Sequence, residues 1–402
     1  MKKTMPLPPY VKSTIRTLNE AGYEAYVVGG AVRSWLLGTE AHDHDVTTSA
    51  TPEEIKQVFQ DKKIIETGIK HGTVTVLDRK TPIEITTYRT ETGYSDHRHP
   101  DEVAFTRSLQ EDCARRDFTI NALCYHPKEG IRDFFGGMQD LQTFLIRCVG
   151  DPRQRFEEDA LRILRAVRFA AQLGFVIEEN TRQALIDLTP SLRYVSQERI
   201  TAELVKTVGA PYFKSILIEY RALFLQLIPE FQEYTDSQWA GIAMNISRCP
   251  SDAIVRMALL LDGLNDTARA EEILRRLKFS NSDRYAIINL LENRYLPLET
   301  RIDVRKALNR LQVTPSQYFD FRCARDTRLS RTELEEVYHR IKVDKDCYSF
   351  KQLEVTGRDF KAMNLKGPQI SAAMTSCLNA VMEDQVPNTR EALMEYLKKL
   401  YA

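Results

Sequence analysis

The spacing of apolar positions divides the chain into two regimes. Within residues 1–145, short runs rich in β-branched and aromatic side chains, EAYVVGG (24–30), HGTVTVLD (71–78) and IEITTYR (83–89), predict strands. Between them AVRSWLLG and TPEEIKQVFQ predict helices, the second with Thr51 as N-cap and Pro52 at the first helical position. Beyond residue 150 the apolar positions recur every three or four residues. FEEDALRILRAVRFAAQLGF, QERITAELVKTV, AEEILRRLKF and TREALMEYLKKL all carry that helical period, and strand candidates nearly vanish. The prediction is an α/β head followed by an all-α region that is itself divided.

Composition narrows the class without choosing a function. The 402 residues, 43% hydrophobic and 28% charged, suit two to four compact units of a globular protein. Lys+Arg and Asp+Glu are each 56, so the balance neither favours a polyanionic partner nor excludes one. The seven cysteines form no CxxC pair, which fits small buried residues in a reducing cytoplasm better than a disulfide framework or zinc site. The start, MKKTMPLPPYVK, has no apolar run behind its lysines and is not read as a signal peptide. No stretch approaches 18 uninterrupted apolar residues, so no membrane partner is expected.

The candidate chemistry begins in VVGGAVRSWLLGTEAHDHDVTTSA. Gly29 and Gly30 fall between a strand and a helix, where a bare backbone approaches a phosphate closely, and Arg33 is one turn further on. Asp43 and Asp45 open the next strand-like run. Alternate strand residues face one side, so the two carboxylates point together, an arrangement that calls for a cation such as Mg²⁺. Glu84, inside the otherwise apolar IEITTYR, supplies a third carboxylate. Taken singly, the glycines read equally as a turn and either acidic feature as a wet surface. Their order and closeness carry the signal.

That constellation resembles the nucleotidyltransferase superfamily shared with DNA polymerase β, and within it the class II tRNA nucleotidyltransferases and bacterial poly(A) polymerases. The resemblance implies Asp43 and Asp45 as metal ligands and Glu84 as an assisting carboxylate. It implies in-line attack of an RNA 3′-hydroxyl on an α-phosphate, with release of pyrophosphate. The chain departs from the usual pattern at Ser34, where the family has Asp, and at His44, where it has an apolar residue. ARRDFTINA resembles the family's RRDFTxNA motif, which implies Arg116, Asp117 and Asn121 beside the ribose and phosphates of the incoming nucleotide. TETGYSDHRHPDEVAF resembles the family's mobile loop, with Arg98, Pro100 and Asp101; enzymes that add only two cytidines lack it.

FEEDALRILRAVRF (156–169) reads as one helix with Asp159 and Arg162 on a shared face. Aspartate accepts and arginine donates, so the pair matches the amino donor and ring-nitrogen acceptor of cytosine and adenine and mismatches uracil and guanine. Alone, the motif reads as an ordinary ion pair. EDALR resembles the family's base-reading motif, which implies Asp159 and Arg162 as the base readers, with Arg165 and Glu158 in support. VSQERITAELVK resembles the neck element in which Glu198, Arg199 and Glu203 brace that helix, and LEVTGRDFKAMNLKGPQI resembles a tail that meets the tRNA elbow through Lys361 and Lys366.

The resemblance therefore implies a catalytic head (1–145), a helical neck with the base reader (146–206), a helical body (207–325) and a helical tRNA-binding tail (326–402). The expected activity is template-independent addition of C, C and A to the tRNA 3′ end from CTP and ATP, with Mg²⁺, in the cytoplasm. Three alternatives stay open: an enzyme adding only the final A, a bacterial poly(A) polymerase, and a non-catalytic RNA-binding protein. ETGIKHGTVTV favours the CCA type over the poly(A) type, and the intact carboxylates weigh against a dead enzyme.

Overall fold

The computed structural model describes residues 4–41, 43–78, 81–93 and 102–401. The chain forms two compact units, Met1–Leu227 and Ile228–Ala402.

The first unit opens with helix α1 (Pro9–Glu20), whose Val11, Thr14, Ile15 and Leu18 form one buried stripe. Strand β1 (Ala25–Val28) follows, buried at all four positions because the sheet is covered on both faces there. Then come α2 (Gly30–Leu36), β2 (Asp45–Thr48), α3 (Pro52–Val58), β3 (Lys63–Ile65), β4 (Thr73–Asp78) and β5 (Thr81–Thr87). The predicted cap of α3 forms as a capping box: Thr51 accepts from the Glu54 N–H and Glu54 returns to the Thr51 N–H. A separate hairpin, β6 (Arg89–Thr92) and β7 (Glu102–Phe105), precedes α4 (Leu109–Ala114), β8 (Cys124–His126), β9 (Gly130–Arg132) and α5 (Gly137–Gln142). The main sheet runs β3-β4-β5-β2-β1-β8-β9, antiparallel throughout except where β2 lies parallel to β5.

Past the head, a two-residue strand β10 (Leu145–Ile146) pairs in parallel with β11 (Val176–Ile177), a small exception to the all-helical expectation. Between and after them lie α6 (Pro152–Glu158), α7 (Leu161–Leu173), α8 (Glu179–Leu188) and α9 (Gln197–Val208). The stretch 156–169 is not one helix. Asp159 has extended backbone (φ −145°, ψ 102°), ends α6, and its carboxylate accepts from the Leu161 N–H at 3.1 Å to start α7. The second unit is helical, from Asp236–Ser247 to Arg390–Tyr401, and its last helices close over Phe360, Cys377, Leu393 and Leu397.

Candidate active site

Strand register places the carboxylates. Asp45, the first residue of β2, lies opposite Val28, immediately before the Gly29 turn. Pairing of Val46 with Ile85 puts Glu84 alongside Asp45 on the neighbouring strand. Asp43 sits two residues before β2 rather than in it, so the shared-face argument holds for Asp45 and Glu84 across strands instead of along one strand. Asp45 faces solvent at the strand end. Its pKa is nevertheless raised, by burial of the carboxylate among neighbouring groups and then by Glu84 and Asp43, against the pull of Arg116. Among the described residues no group of three or more His, Cys, Asp or Glu forms a ready-made metal cage. Mg²⁺ needs none: it is commonly held by one or two carboxylates, with water and substrate phosphates completing the shell. An all-oxygen donor set whose charges repel fits such an ion. Between the two aspartates, His44 is half-buried and its pKa is lowered, chiefly by burial.

Across the glycine turn lies a cationic wall. Gly29 has φ +73°, a left-handed conformation that favours glycine, and a side chain there would point at Arg116 Nη1 and the Asn121 carbonyl. From α2, Arg33 donates to Asn121 Oδ1 and lies over the Phe169 ring, 4.8 Å from its centroid. Arg165 and Arg168 of α7 approach the same ring at 5.5 and 4.2 Å. Burial lowers the Arg33 pKa to about 10, with Arg168 and Arg165 pushing the same way and Asp117 opposing. Arg168 is also lowered by burial, despite Glu203 at ion-pair distance, 2.7 Å. Arg33 Nε and Arg116 Nε are buried with no hydrogen-bond partner among the described residues. Guanidiniums this crowded are stabilised by an anion of several charges.

Asp117 ties this wall together. Its Oδ2 accepts from Arg165 Nε and Nη2 at 2.8 and 2.6 Å, and its Oδ1 from the Phe118 N–H and Asn121 Nδ2 at 2.8 and 3.1 Å. Those four bonds fill the carboxylate, so in this geometry Asp117 orients Arg165 and Asn121 and has no lone pair left for a ribose hydroxyl. Asp117 accordingly has a pKa of about 2: burial would raise it, but Arg165 and Asn121 outweigh that.

At the start of α7 the Arg162 N–H donates to the Asp159 carbonyl at 3.0 Å, while the two side chains bond other groups. Asp159 Oδ2 accepts from Arg199 of α9 at 2.8 Å. Arg162 is buried and bonds Glu158 Oε2 (2.6 Å) and the carbonyls of Arg155 and Arg115 (3.0 Å each). Glu158 therefore holds Arg162, and Arg199 holds Asp159, as the reading of the neck element anticipates for Arg199. Arg98, Pro100 and Asp101 lie outside the described residues. In the second unit, Lys361 and Lys366 are exposed.

Three residues here were not singled out from sequence. Asp112 is fully buried and gathers Arg115 (2.7 Å), Arg116 (3.2 Å), the Thr47 hydroxyl (3.2 Å) and the Arg89 N–H (3.3 Å). Its place four residues before Arg116 was a usable helical signal. Arg168 extends Arg162 and Arg165 along α7, three residues per step, and Phe169 follows it directly, a run visible in the sequence.

Comparison with known proteins settles the family. A CCA-adding enzyme of Lactiplantibacillus plantarum is 34% identical over 412 residues, covering 96% of this chain and 95% of that one. The chain belongs to the CCA-adding enzymes. Another of them, from Leuconostoc citreum, is 35% identical over 397 residues, 95% of this chain and 94% of the relative. The Bacillus stearothermophilus CCA-adding enzyme, solved in complex with CTP, superposes with a TM-score of 0.81 at 30% identity over 98% of each chain. The Thermotoga maritima CCA-adding enzyme, solved with tRNA, shares the fold (TM-score 0.68, 22% identity, 98% and 96% covered). Family models described as the Poly A polymerase head domain, a probable RNA- and SrmB-binding site of polymerase A, and tRNA nucleotidyltransferase domain 2 (putative) match residues 25–147, 174–235 and 251–397. Nucleotidyltransferases of this family typically use a divalent metal.

Proposed function

We propose that this chain adds C, C and A in turn to the 3′ end of tRNA, taking CTP and ATP and releasing pyrophosphate. The observation that carries the reading is the pairing of two opposed features at one strand end: the carboxylates of Asp45 and Glu84 across β2 and β5, and the arginine wall around Phe169. A nucleoside triphosphate approaching a hydroxyl needs both.

In this account Arg33, Arg116, Arg165 and Arg168 receive the triphosphate, and the bare backbone at Gly29 and Gly30 lets it lie close. Asp117 and Asn121 hold Arg165 and Arg33 in place, beside the ribose. Asp43 and Asp45, with Glu84 assisting, would hold Mg²⁺, which when bound supplies charge for the attacking hydroxyl and the triphosphate. The tRNA 3′-oxygen forms a bond to the α-phosphorus, the bond to the bridging oxygen breaks, and pyrophosphate leaves. Asp159 and Arg162 choose the base. Each swings from its present partner, Arg199 or Glu158, far enough to meet cytosine or adenine, and those partners restore it between additions. Lys361 and Lys366 meet tRNA phosphates in the tail, and the four-part division into head, neck, body and tail follows these roles. The reducing cytoplasm is the compartment that unpaired cysteines suit.

A tRNA lacking its last three nucleotides, offered one triphosphate at a time, tests the base choice. CTP should be incorporated, and UTP and GTP should not. Comparable incorporation of UTP would remove the Asp159/Arg162 reading.

A further inference from the structure

Behind the arginine wall two thiols face each other. Cys113 Sγ, on α4, lies 3.4 Å from Cys124 Sγ, on β8, and both residues are fully buried among Tyr26, Val28, Tyr88, Leu109, Ala122 and Val149. The catalytic account uses neither. Their neighbours are nonetheless the parts that place the triphosphate. Cys113 stands between Asp112, the buried carboxylate that grips Arg116, and Arg116 itself. Cys124 pairs with Val28, and the preceding carbonyl, of Leu123, accepts from the Gly29 N–H at 3.2 Å.

We propose that Cys113 and Cys124 are an oxidisable pair, converted by a hydroperoxide into a disulfide that turns off the adjacent nucleotide site. The sulfurs differ in a way that suits the two steps. Cys113 is favoured as thiolate by the hydrogen bond from Cys124, against burial, and then by Arg116, whereas the Cys124 thiol is pushed well up. The Cys113 thiolate attacks one oxygen of hydrogen peroxide, the O–O bond breaks, and the departing hydroxide is protonated to water. Cys124 sulfur then attacks the resulting sulfenic acid at Cys113 Sγ. The S–O bond breaks, and the hydroxide leaves with the Cys124 proton as a second water. Two thiols lose two protons and two electrons in all, and one peroxide becomes two waters.

A disulfide requires an S–S separation of about 2.05 Å, so the sulfurs must close by more than about 1 Å. That movement draws α4 toward β8 and displaces Arg116 against the Gly29 turn. A misplacement of about 1 Å at a positioning group is enough for a loss of roughly 10²-fold in rate.

The test uses the full reduced chain, exposed to hydrogen peroxide and then to catalase. Cytidine incorporation into tRNA lacking its last three nucleotides is measured beside peptide mapping by mass spectrometry. The expected result is a roughly 10²-fold loss of rate, a Cys113–Cys124 cross-linked peptide about 2 Da lighter than its reduced parts, and recovery of both with dithiothreitol. Cys113→Ala and Cys124→Ser, each checked for an unchanged thermal melt, should keep their activity through the same treatment. If either variant folds poorly, the cross-link and its parallel reversal in the unmodified chain decide. The proposal is overturned if no such cross-link forms, if it forms while the rate holds, or if a folded variant is inactivated as fast as the parent.

Discussion

Asp45 and Asp117 are both acidic residues in one site, and their surroundings drive them in opposite directions. An acid whose pKa rises on folding costs the folded state stability as the pH climbs past the unfolded value, about 3.9, and the deficit persists at neutrality. Asp45 is such a group. Without metal at pH 7, Asp45→Asn should therefore melt higher than the parent while incorporating no nucleotide. Added Mg²⁺ should raise the melting temperature of the parent and leave the variant unmoved. A scanning-calorimetry pair with and without chelator checks both. Asp117 has the reverse sign. Its folded pKa of about 2 means that its contribution is fully present above about 3.9 and is lost as the pH falls toward 2. Asp117→Asn leaves the half-buried Arg165 without its counter-charge and should cost about 1–2 kcal/mol at pH 7. The gap from the parent should narrow below about pH 4, as urea melts across pH would record. These residue identities were legible in the sequence. The occupancy of Asp117 by Arg165 was not, because the two lie 48 positions apart and only folding brings them together.

At the scale of elements, the informative difference is the break at Asp159. Helical spacing of apolar residues continues from 156 to 169, so the pattern alone predicts one helix. A carboxylate that caps the following turn through the Leu161 N–H overrides it, a local competition that apolar periodicity does not register. The break leaves the Asp159 carboxylate bonded to Arg199 of α9. Two variants then separate reading from bracing. Asp159→Ala should lower the preference for CTP over UTP by 10- to 100-fold, about 1.4–2.8 kcal/mol of discrimination. Arg199→Met should raise the KM for both CTP and ATP while keeping most of the discrimination. Single-turnover rates with each triphosphate measure these effects, and an Asp159→Ala enzyme that stays faithful to C and A contradicts the base-reader assignment. The short strands β10 and β11 escaped the sequence for a related reason: two residues are too few to show an alternation.

For the whole molecule, the change of apolar spacing marked where strands give way to helices, and the motifs of the head marked the chemistry. The division into two units after Leu227 was not legible, since helical periodicity continues across it. In the second unit the exposed Lys361 and Lys366 carry the tRNA prediction. Replacing both with Ala should raise the KM for tRNA several-fold, leave the KM for CTP unchanged, and reduce the salt dependence of tRNA binding by one to two units of log–log slope. Filter binding across a salt series provides that slope. The most direct measurement uses two tRNAs, one ending at the discriminator base and one ending in CC, each incubated with Mg²⁺ and with CTP, ATP or both, the products sized at single-nucleotide resolution. Growth of the first by three nucleotides only when both triphosphates are present is the predicted result. Extension of the CC-ended tRNA alone, by a single A, or a long A ladder on either RNA, would contradict it.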